Sequence, residues 1–413
     1  MKKKLRIAFF DTKPYDRRWF ELLARDDSFK EFDFVFSFFE AKLTKETAAL
    51  TRDHDVACIF VNDRLDADVA DILAANKVEL VALRCAGYNN VDLEAVWERI
   101  HVVRVPAYSP HAVAEHALSL LMTLTRRIHT AYNRTRDGNF ALSGLVGRDL
   151  FGKTVGVIGT GKIGKIFARI MSGFGMKVLL DDLYPDTEFA ASLGASYVSR
   201  EELFRSSDVI SLHCPLTPEN RYLVNEDSIA KMKTGVVIIN TGRGGLIDTR
   251  ALVEGLKDGK IGGAGLDVYE EEEHYFFEDW SLAPIKDDLL ARLLQFPNVV
   301  LTSHQAFLTE EALSEIARVT LENIKRWALS QEPENEICYH CTRLGGALSC
   351  SREVTGQCWT KAGVKEEGMY EKSDKSDALY VTEQGDLPVC TRSFDPESHR
   401  FSDEDGPCLD GEG

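Results

Sequence analysis

Short apolar runs alternate with longer segments of helical periodicity along residues 1–330 of this chain. Runs of about four to eight apolar residues predict buried strands, and helical segments between them predict crossover connections in a parallel sheet. A first series of predicted strands lies at 5–10, 56–61, 79–84 and 101–105. A second series lies at 153–159, 177–182, 208–213, 235–240, 263–268 and 298–303. The pattern therefore predicts an α/β protein with two doubly wound parallel sheets.

A long helical pattern between the two strand series predicts the domain organisation. It starts at Pro110 and keeps helical spacing for about five turns, and a further amphipathic helix is predicted over 309–330. We therefore predict a first domain over 1–108, a second domain over 109–305, and a return of the chain to the first domain over 306–337. Residues 338–413 are predicted to be a separate tail.

The C-terminal segment differs from the rest of the chain in charge and cysteine content. Residues 331–413 hold 18 acidic and 8 basic side chains, and six of the nine cysteines. Few apolar residues and no sustained period predict a disordered tail. Cys338-x-x-Cys341 suggests a zinc site, but its spacing to Cys350 and Cys358 fits no common ribbon or finger, so we predict no metal.

Composition excludes several classes of function. A net charge of −17 argues against nucleic acid as the main ligand, and no run of about 18 uncharged apolar residues is present to span a membrane. Three dispersed cysteines in residues 1–330 favour a reducing compartment. The N-terminus is too poor in apolar residues for a signal peptide, so we predict a cytoplasmic protein.

A glycine-rich turn at 159–164 is the most specific local signal. Gly159, Gly161 and Gly164 follow a predicted strand and open a predicted helix, which is the context that a pyrophosphate-binding turn requires. The next predicted strand ends at Asp182, where a carboxylate would bind the ribose diol and repel a 2′-phosphate. NAD is therefore predicted over NADP, the alternative being a ligand-free turn beside a solvated acidic strand end.

Seven motifs in order resemble the D-isomer-specific 2-hydroxyacid dehydrogenases, and within that family the fermentative D-lactate dehydrogenases. The resemblance covers about residues 4–341 and rests on these segments: CAGYNNVD (85–92), VPAYSPHAVAEHA (105–117), VIGTGKIG (157–164), SLHCPLTPEN (211–220), NTGRGGLID (240–248), LDVYEEEEHYFFED (266–279) and TSHQAFLTEEA (302–312). It implies a flavodoxin-like substrate domain, a Rossmann NAD domain, and assembly as a homodimer or larger homo-oligomer.

The resemblance implies three catalytic residues whose chemistry suits reduction of a 2-keto acid. Arg243 follows a predicted strand, and its planar guanidinium can bind the substrate carboxylate bidentately. His304 is the implied acid/base that protonates the carbonyl oxygen as hydride arrives. Glu272 is implied to orient His304 and stabilise the imidazolium, with Glu271 as the second choice among four consecutive glutamates.

The remaining contacts are carried over from the resemblance one residue at a time. It implies cofactor contacts at Lys162, Ile163, Cys214, Pro215, Asn220, Thr241, Gly242, Arg243 and Asp267. It implies substrate contacts at Ala86, Gly87, Tyr108 and Phe307 as well as Arg243. Tyr108 could instead be an interdomain packing residue, and core packing is an alternative for Phe307.

Two departures from the family pattern bear on substrate and cofactor. The stretch EEHYFFED lacks the proline common in the wider family, which disfavours phosphoglycerate or glycerate and favours pyruvate. At the end of the predicted strand 177–182, where relatives commonly have Asp-Pro-Tyr-Pro, this chain reads Asp182-Leu183-Tyr184-Pro185. The aspartate that would bind the ribose is kept, so the predicted preference for NAD does not change. The leading function is an NAD-dependent D-lactate dehydrogenase; the alternatives are the same chemistry on a bulkier 2-keto acid, and an NAD-sensing transcriptional corepressor of the same fold.

Overall fold

The computed structural model describes residues 2–331 and 334–339, and the backbone of 394–395 and 400–401. Its two large sheets have five and seven strands, all parallel, which confirms the predicted fold class. Most of the predicted disordered tail lies outside the described residues. Within the separate unit Gly363–Gly413, the two-residue strands Phe394–Asp395 and Arg400–Phe401 pair antiparallel.

The first sheet has the order β2-β1-β3-β4-β5. Its strands are β1 (Lys3–Phe9), β2 (Phe32–Phe38), β3 (Val56–Ile59), β4 (Leu80–Leu83) and β5 (His101–Val103). Its helices are α1 (Pro14–Leu23), α2 (Ala67–Ala75) and α3 (Leu93–Val96), and short 3-10 turns lie at Asp27–Phe29 and Ala48–Thr51. Alternate residues of the central strands pack against helices on opposite faces, so β3 and β4 are buried on both faces and are apolar throughout.

The second sheet has the order β12-β11-β10-β9-β6-β7-β8. Its strands are β6 (Thr154–Ile158), β7 (Lys177–Asp181), β8 (Ser196–Tyr197), β9 (Val209–Leu212), β10 (Val236–Asn240), β11 (Ile261–Leu266) and β12 (Val299–Leu301). Its helices are α4 (Pro110–Thr125), α5 (Ile128–Arg136), α6 (Lys162–Gly173), α7 (Thr187–Leu193), α8 (Arg200–Ser206), α9 (Glu226–Lys231), α10 (Thr249–Lys257) and α11 (Asp288–Gln295). Further 3-10 turns lie at Pro218–Asn220, Gly244–Leu246 and Glu272–His274.

Sequence reasoning missed two strands of the large sheets. The missed strands are β2, whose sequence FDFVFSF has phenylalanine at every second position, and the two-residue β8. The predicted helix of about five turns from Pro110 is confirmed as α4, which ends before Arg127, a residue with a left-handed φ of 51° between α4 and α5. The reason is tertiary: the Arg148 amide donates to the Thr125 carbonyl at 2.9 Å and so replaces the next helical hydrogen bond.

The chain returns to the first sheet after β12. Helix α12 (Glu310–Ala328) packs Ala317, Leu321 and Ile324 on the face formed by alternate residues of β1, β3 and β4. Further on, the Ile337 amide donates to the Val102 carbonyl at 2.9 Å, beside the last strand of that sheet. The predicted boundaries at residues 108, 305 and 337 stay predictions.

Candidate active site

Loops that follow strands of both sheets line one cleft of about 720 Å³. Cys85–Gly87 follow β4, Arg243 follows β10, and His304 follows β12. The carboxyl ends of parallel strands are where doubly wound folds bind ligands, because backbone groups and loop side chains converge there. The structure therefore brings Arg243, Glu272 and His304, the three predicted catalytic residues, into one cavity. The predicted substrate contacts Ala86 and Gly87 lie in the same cavity.

His304 and Glu272 form a hydrogen-bonded pair in this cleft. The distance from His304 Nδ1 to Glu272 Oε1 is 2.8 Å, and Glu272 Oε2 accepts a hydrogen bond from the Tyr269 amide at 2.9 Å. His304 has a left-handed backbone with φ 54°, and its amide donates to the Asp267 carbonyl at 2.7 Å. Because Glu272 holds Nδ1, the opposite ring nitrogen, Nε2, is the one available to a ligand in the cleft.

Arg243 lies against the backbone of the loop after β4. Its Nη1 donates to the Gly242 carbonyl at 2.8 Å, and a Cβ atom built on Gly87 would lie 3.5 Å from its Nη2. The other side of the loop is held by Arg104, whose Nη1 donates to the Ala86 carbonyl at 2.7 Å. A guanidinium beside a backbone turn is a suitable receptor for a carboxylate.

Aromatic side chains form the apolar wall of the cleft. The rings of Tyr108 and Phe307 are edge to face with centroids 6.3 Å apart, and Phe307 lies 6.0 Å from Phe60. Burial raises the pKa of Tyr108 to about 12, with the Arg243 charge opposing the rise, so its hydroxyl stays protonated at neutral pH. Burial likewise raises the pKa of Cys85 to about 12, which leaves its thiol unreactive as a nucleophile.

The glycine turn between β6 and α6 has the geometry that a dinucleotide requires. Gly159 has φ 91°, and a Cβ atom there would lie 2.5 Å from the Cys214 amide nitrogen. A Cβ atom on Gly164 would lie 1.9 Å from the Gly159 carbonyl oxygen, whereas one on Gly161 would meet nothing within 4 Å. The outer glycines are therefore needed for packing, and Gly161 leaves open space at the start of the helix, next to Lys162 and Ile163.

Asp182 is tied to this turn. Its carboxylate accepts hydrogen bonds from the amide and hydroxyl of Thr160 and from the Tyr184 amide. Burial alone would raise the pKa of Asp182, but these hydrogen bonds outweigh it and lower the pKa, so the group is anionic at neutral pH. The neighbouring Asp181 has a different partner, because Arg200 Nε lies 2.7 Å from its Oδ2.

Two further loops contain predicted cofactor contacts, one after β9 and one after β10. Asn220 closes the loop after β9: its Nδ2 donates to the Pro215 carbonyl at 2.7 Å, and its Nδ2 lies 3.9 Å from Cys214 Sγ. After β10, the Gly242 amide donates to Asn240 Oδ1 at 3.0 Å. The Thr241 hydroxyl is buried and has no hydrogen-bond partner within the described protein. A buried hydroxyl in that position is free to bond a ligand group.

Asp267 has zero exposed surface, and its contacts lie within the protein. Its carboxylate accepts hydrogen bonds from the amides of Gln305 and Ala306 at 2.9 and 2.8 Å, and from the Thr302 hydroxyl at 2.5 Å. His116 Nε2 lies 3.3 Å from Asp267 Oδ1. The structure thus places Asp267 as an anchor of the loop that carries His304, and its predicted contact with the nicotinamide stays a prediction.

Comparisons with known proteins agree with this geometry. A sequence model described as "D-isomer specific 2-hydroxyacid dehydrogenase, NAD binding domain" matches residues 118–306. A 2-hydroxyacid dehydrogenase homolog of Haemophilus influenzae is 52% identical over 334 residues, which are 81% of this chain and 99% of that protein. D-lactate dehydrogenase of Escherichia coli is 50% identical over 334 residues, 81% of this chain and all of that protein.

The chain belongs to the D-isomer specific 2-hydroxyacid dehydrogenases. A solved structure described as the pyruvate reductase of Chlamydomonas reinhardtii is similar to this 2-hydroxyacid dehydrogenase, with a TM-score of 0.76 and 46% sequence identity, over 80% of this chain and 98% of that one. The predicted family and fold class are confirmed. NAD is the cofactor of the dehydrogenase domain, and the open face at Gly161 and the unpartnered Thr241 hydroxyl fit such a ligand.

Sequence reasoning missed several residues of this dehydrogenase site. Phe60 and Phe277 line the cleft, and the Arg84 guanidinium lies behind it, 4.7 Å from the Phe60 ring centroid. His116 and Thr302 join the Asp267 network, with His116 Nε2 3.0 Å from the Thr302 hydroxyl oxygen. Phe277 and Thr302 stood inside quoted motifs, but nothing in their spacing showed which side chains turn inward.

The described part of the chain contains neither a cluster of metal-ligating side chains nor a helix suited to a membrane. Among residues 2–331 and 334–339, no group of three or more His, Cys, Asp or Glu side chains is arranged to hold a metal ion. In that same part of the chain, no helix combines the length and apolar character needed to cross a membrane.

Proposed function

We propose that this protein is an NAD-dependent D-lactate dehydrogenase that reduces pyruvate to D-lactate. The observation that carries the proposal is the meeting of Arg243 with the His304–Glu272 pair in one cleft. Relatives named for D-lactate and pyruvate support the choice of substrate. The aromatic wall of Phe60, Tyr108 and Phe307 favours a small side chain such as the methyl group of pyruvate, over a bulkier 2-keto acid.

In this mechanism, substrate orientation comes from the chain's own groups. Arg243 binds the substrate carboxylate, assisted by the amides of Ala86 and Gly87, and polarises the keto oxygen. NADH, when bound, supplies the hydride that reduces the carbonyl carbon. His304 Nε2 donates its proton to the carbonyl oxygen, so that an alcohol forms, and Glu272 stabilises the imidazolium beforehand. Oxidation of lactate reverses each step.

The remaining predicted contacts complete the proposal for NAD. Gly159, Gly161, Lys162, Ile163 and Gly164 would bind the pyrophosphate, and Asp182 the adenosine ribose. Cys214, Pro215 and Asn220 border the adenosine half. The groups assigned to the nicotinamide half are Thr241, Gly242, Arg243 and Asp267.

An assay of purified protein with NADH and a panel of 2-keto acids tests the function. We expect pyruvate to be reduced with a higher kcat/KM than 2-ketoisocaproate or phenylpyruvate, and chiral chromatography to identify D-lactate as the product. L-lactate as the main product would contradict the proposal. The corepressor alternative predicts NADH binding without turnover, so a protein that binds NADH but reduces none of the panel would favour it instead.

Replacing Asp182 by serine tests the cofactor assignment. Because the carboxylate repels a 2′-phosphate, we expect the ratio of kcat/KM for NADH over NADPH to fall at least about tenfold. Asp181→Ser is the matched control, since the Asp181 carboxylate pairs with Arg200, whereas the Asp182 carboxylate bonds Thr160 of the turn. A switch produced by Asp181→Ser alone would show that the ribose partner is Asp181.

We also propose that the protein forms a homodimer through an apolar arm, residues 128–151. Its backbone is held by hydrogen bonds from Arg134 to Ser143 and from Arg148 to Gly235. Large apolar side chains nevertheless point into solvent from it: Ile128, Tyr132, Phe140, Leu142, Val146 and Phe151. Exposed apolar clusters of this kind mark interaction surfaces, and a second copy of the chain is the occupant we expect.

Light scattering coupled to size-exclusion chromatography tests the dimer. We expect twice the chain mass of 46.2 kDa for the wild type and the single-chain mass for Phe140→Asp combined with Leu142→Asp. Leu282→Asp is the control, since Leu282 is 99% exposed outside the arm. A double variant that keeps the wild-type mass would contradict this interface.

We propose the cytoplasm as the location. The thiols of Cys58 and Cys85 are buried and unpaired by disulfides, which suits a reducing compartment. A fluorescent fusion that accumulates outside the cytoplasm would contradict this assignment.

A further inference from the structure

Phe277 lies in the cleft between two lobes: the substrate lobe, which is built on the first sheet, and the second lobe, which is built on the second sheet. It follows the turn that carries Glu272, and it packs with the apolar clusters of both sheets. Its ring centroid is 5.6 Å from that of Phe60 on the first sheet, in an edge-to-face arrangement at 71°. On the other side, its ring centroid is 6.1 Å from that of the His304 imidazole, at 31°. The ring thus connects the substrate lobe to the proposed acid/base.

The segment around Phe277 is attached to the first lobe by two lysines. Lys13 Nζ lies 3.4 Å from the Phe277 carbonyl oxygen and 2.8 Å from Oδ1 of the fully buried Asp11. Lys42 Nζ lies 3.0 Å from Glu278 Oε1. These lysines follow β1 and β2, so two cations of the substrate lobe hold a loop that leaves the second sheet.

The backbone of Phe277 shows that the segment is held in place. Its φ is 67°, in the left-handed region that bulky residues rarely adopt. Such a conformation persists only where surrounding contacts compensate its cost. Here those contacts are the Phe60 ring and the two lysines. Phe60 is itself fixed, because the Arg84 guanidinium is sandwiched between Phe9 and Phe60 at 4.6 and 4.7 Å.

The His304 ring needs a second constraint besides its hydrogen bond. A single bond from Nδ1 to Glu272 leaves the imidazole free to tilt about that bond, and a tilt moves Nε2 away from a substrate oxygen. The Phe277 ring packs close to the imidazole and restricts that tilt. Since Phe277 and Glu272 belong to one loop, the contacts to Lys13 and Lys42 set the position of both.

We propose that Phe277 is a positioning residue for His304, held in place by the substrate lobe through Lys13 and the Lys42–Glu278 ion pair. The inference rests on the proposed function, in which His304 is the acid/base. It assigns the segment a role in proton transfer and none in binding NADH or the substrate carboxylate. Loss of the ring should therefore lower kcat while the KM for pyruvate and the affinity for NADH change little.

The test compares Phe277→Ala with the conservative Phe277→Leu. We expect Phe277→Ala to lower kcat about tenfold or more, because small errors in the placement of a proton donor are costly. Phe277→Leu should stay within about threefold of the wild type, and NADH affinity, measured by fluorescence, within about twofold in both variants. A folded Phe277→Ala enzyme with the wild-type kcat would overturn the inference.

A charge reversal tests the same role if Phe277→Ala does not fold. Lys42→Glu and Glu278→Lys should each lower kcat severalfold, and the double variant should recover most of the loss, because it restores an ion pair with opposite polarity. Lys45→Glu is the matched control: Lys45 pairs with Asp68 at 2.8 Å on the same lobe and should leave kcat unchanged. Single reversals with the wild-type kcat, or a double variant no better than the singles, would overturn the inference.

Failure of the proposed function would look different. In that case the wild type would reduce no 2-keto acid, or His304→Ala would keep the full rate. The inference alone fails when the wild type reduces pyruvate, His304→Ala does not, and the Phe277 and Lys42–Glu278 variants behave as the wild type.

Discussion

Replacing His304 by alanine is expected to lower kcat for pyruvate reduction by about 10²- to 10⁴-fold, because general acid catalysis typically contributes that much. Its ring lies in the cleft and contacts Glu272 through Nδ1. Initial rates with NADH, at saturating pyruvate, measure the loss. His54→Ala is the matched control, since His54 bonds Ser37 on the first sheet. A His304→Ala enzyme close to the wild-type rate would remove the proposed mechanism.

The partner Glu272 gives a second test of the same pair. Its Oε1 lies 2.8 Å from His304 Nδ1, and this contact leaves Nε2 to the cleft. Glu272→Gln keeps a polar partner but removes the charge, so we expect kcat for pyruvate reduction to fall while part of the activity survives. A kcat identical to the wild type would exclude Glu272 from this role.

Replacing Arg243 by alanine or lysine is the second large effect. Loss of one partner of a buried charge pair costs about 2–5 kcal/mol, which corresponds to roughly 30-fold to 4,000-fold in kcat/KM for pyruvate. Lysine should not restore the activity, because a point charge cannot reproduce the bidentate guanidinium. Arg318→Ala on the outer face of α12 is the control, since Arg318 pairs with Glu315 alone in the described structure. Nearly full activity in Arg243→Lys would show that the guanidinium fork is not required.

The affinity for NADH separates this effect from a general loss of folding. Arg243 lies beside Gly87 of the substrate lobe, so its loss should weaken pyruvate binding more than NADH binding. Fluorescence titration with NADH should therefore give a Kd within a few-fold of the wild type. A parallel loss of both affinities would indicate damage to the whole loop after β10.

Local signals in the sequence identified most of the architecture. Most strands of both sheets are apolar runs because both of their faces are buried, and such runs are visible without any tertiary information. The glycine turn was equally visible, because its three glycines follow an apolar run and open a helical pattern. The contact that requires Gly159 was not visible, since it comes from Cys214 in the loop after β9. The edge strand β2 was missed, although its alternating pattern was available, because no apolar run marked it.

The sequence by itself determined the two parallel sheets, the dinucleotide turn and, through ordered motifs, the choice of Arg243, Glu272 and His304. Those features depend on local periodicity and on short motifs. Only the tertiary structure decided the break at Arg127 and the place of Phe277 between His304 and Phe60. The physical reason is the same in both cases. The Thr125 carbonyl is bound by the Arg148 amide, and the Phe277 ring packs on Phe60, which is more than two hundred positions away in the sequence. Contacts between residues so far apart leave no periodic pattern in the chain.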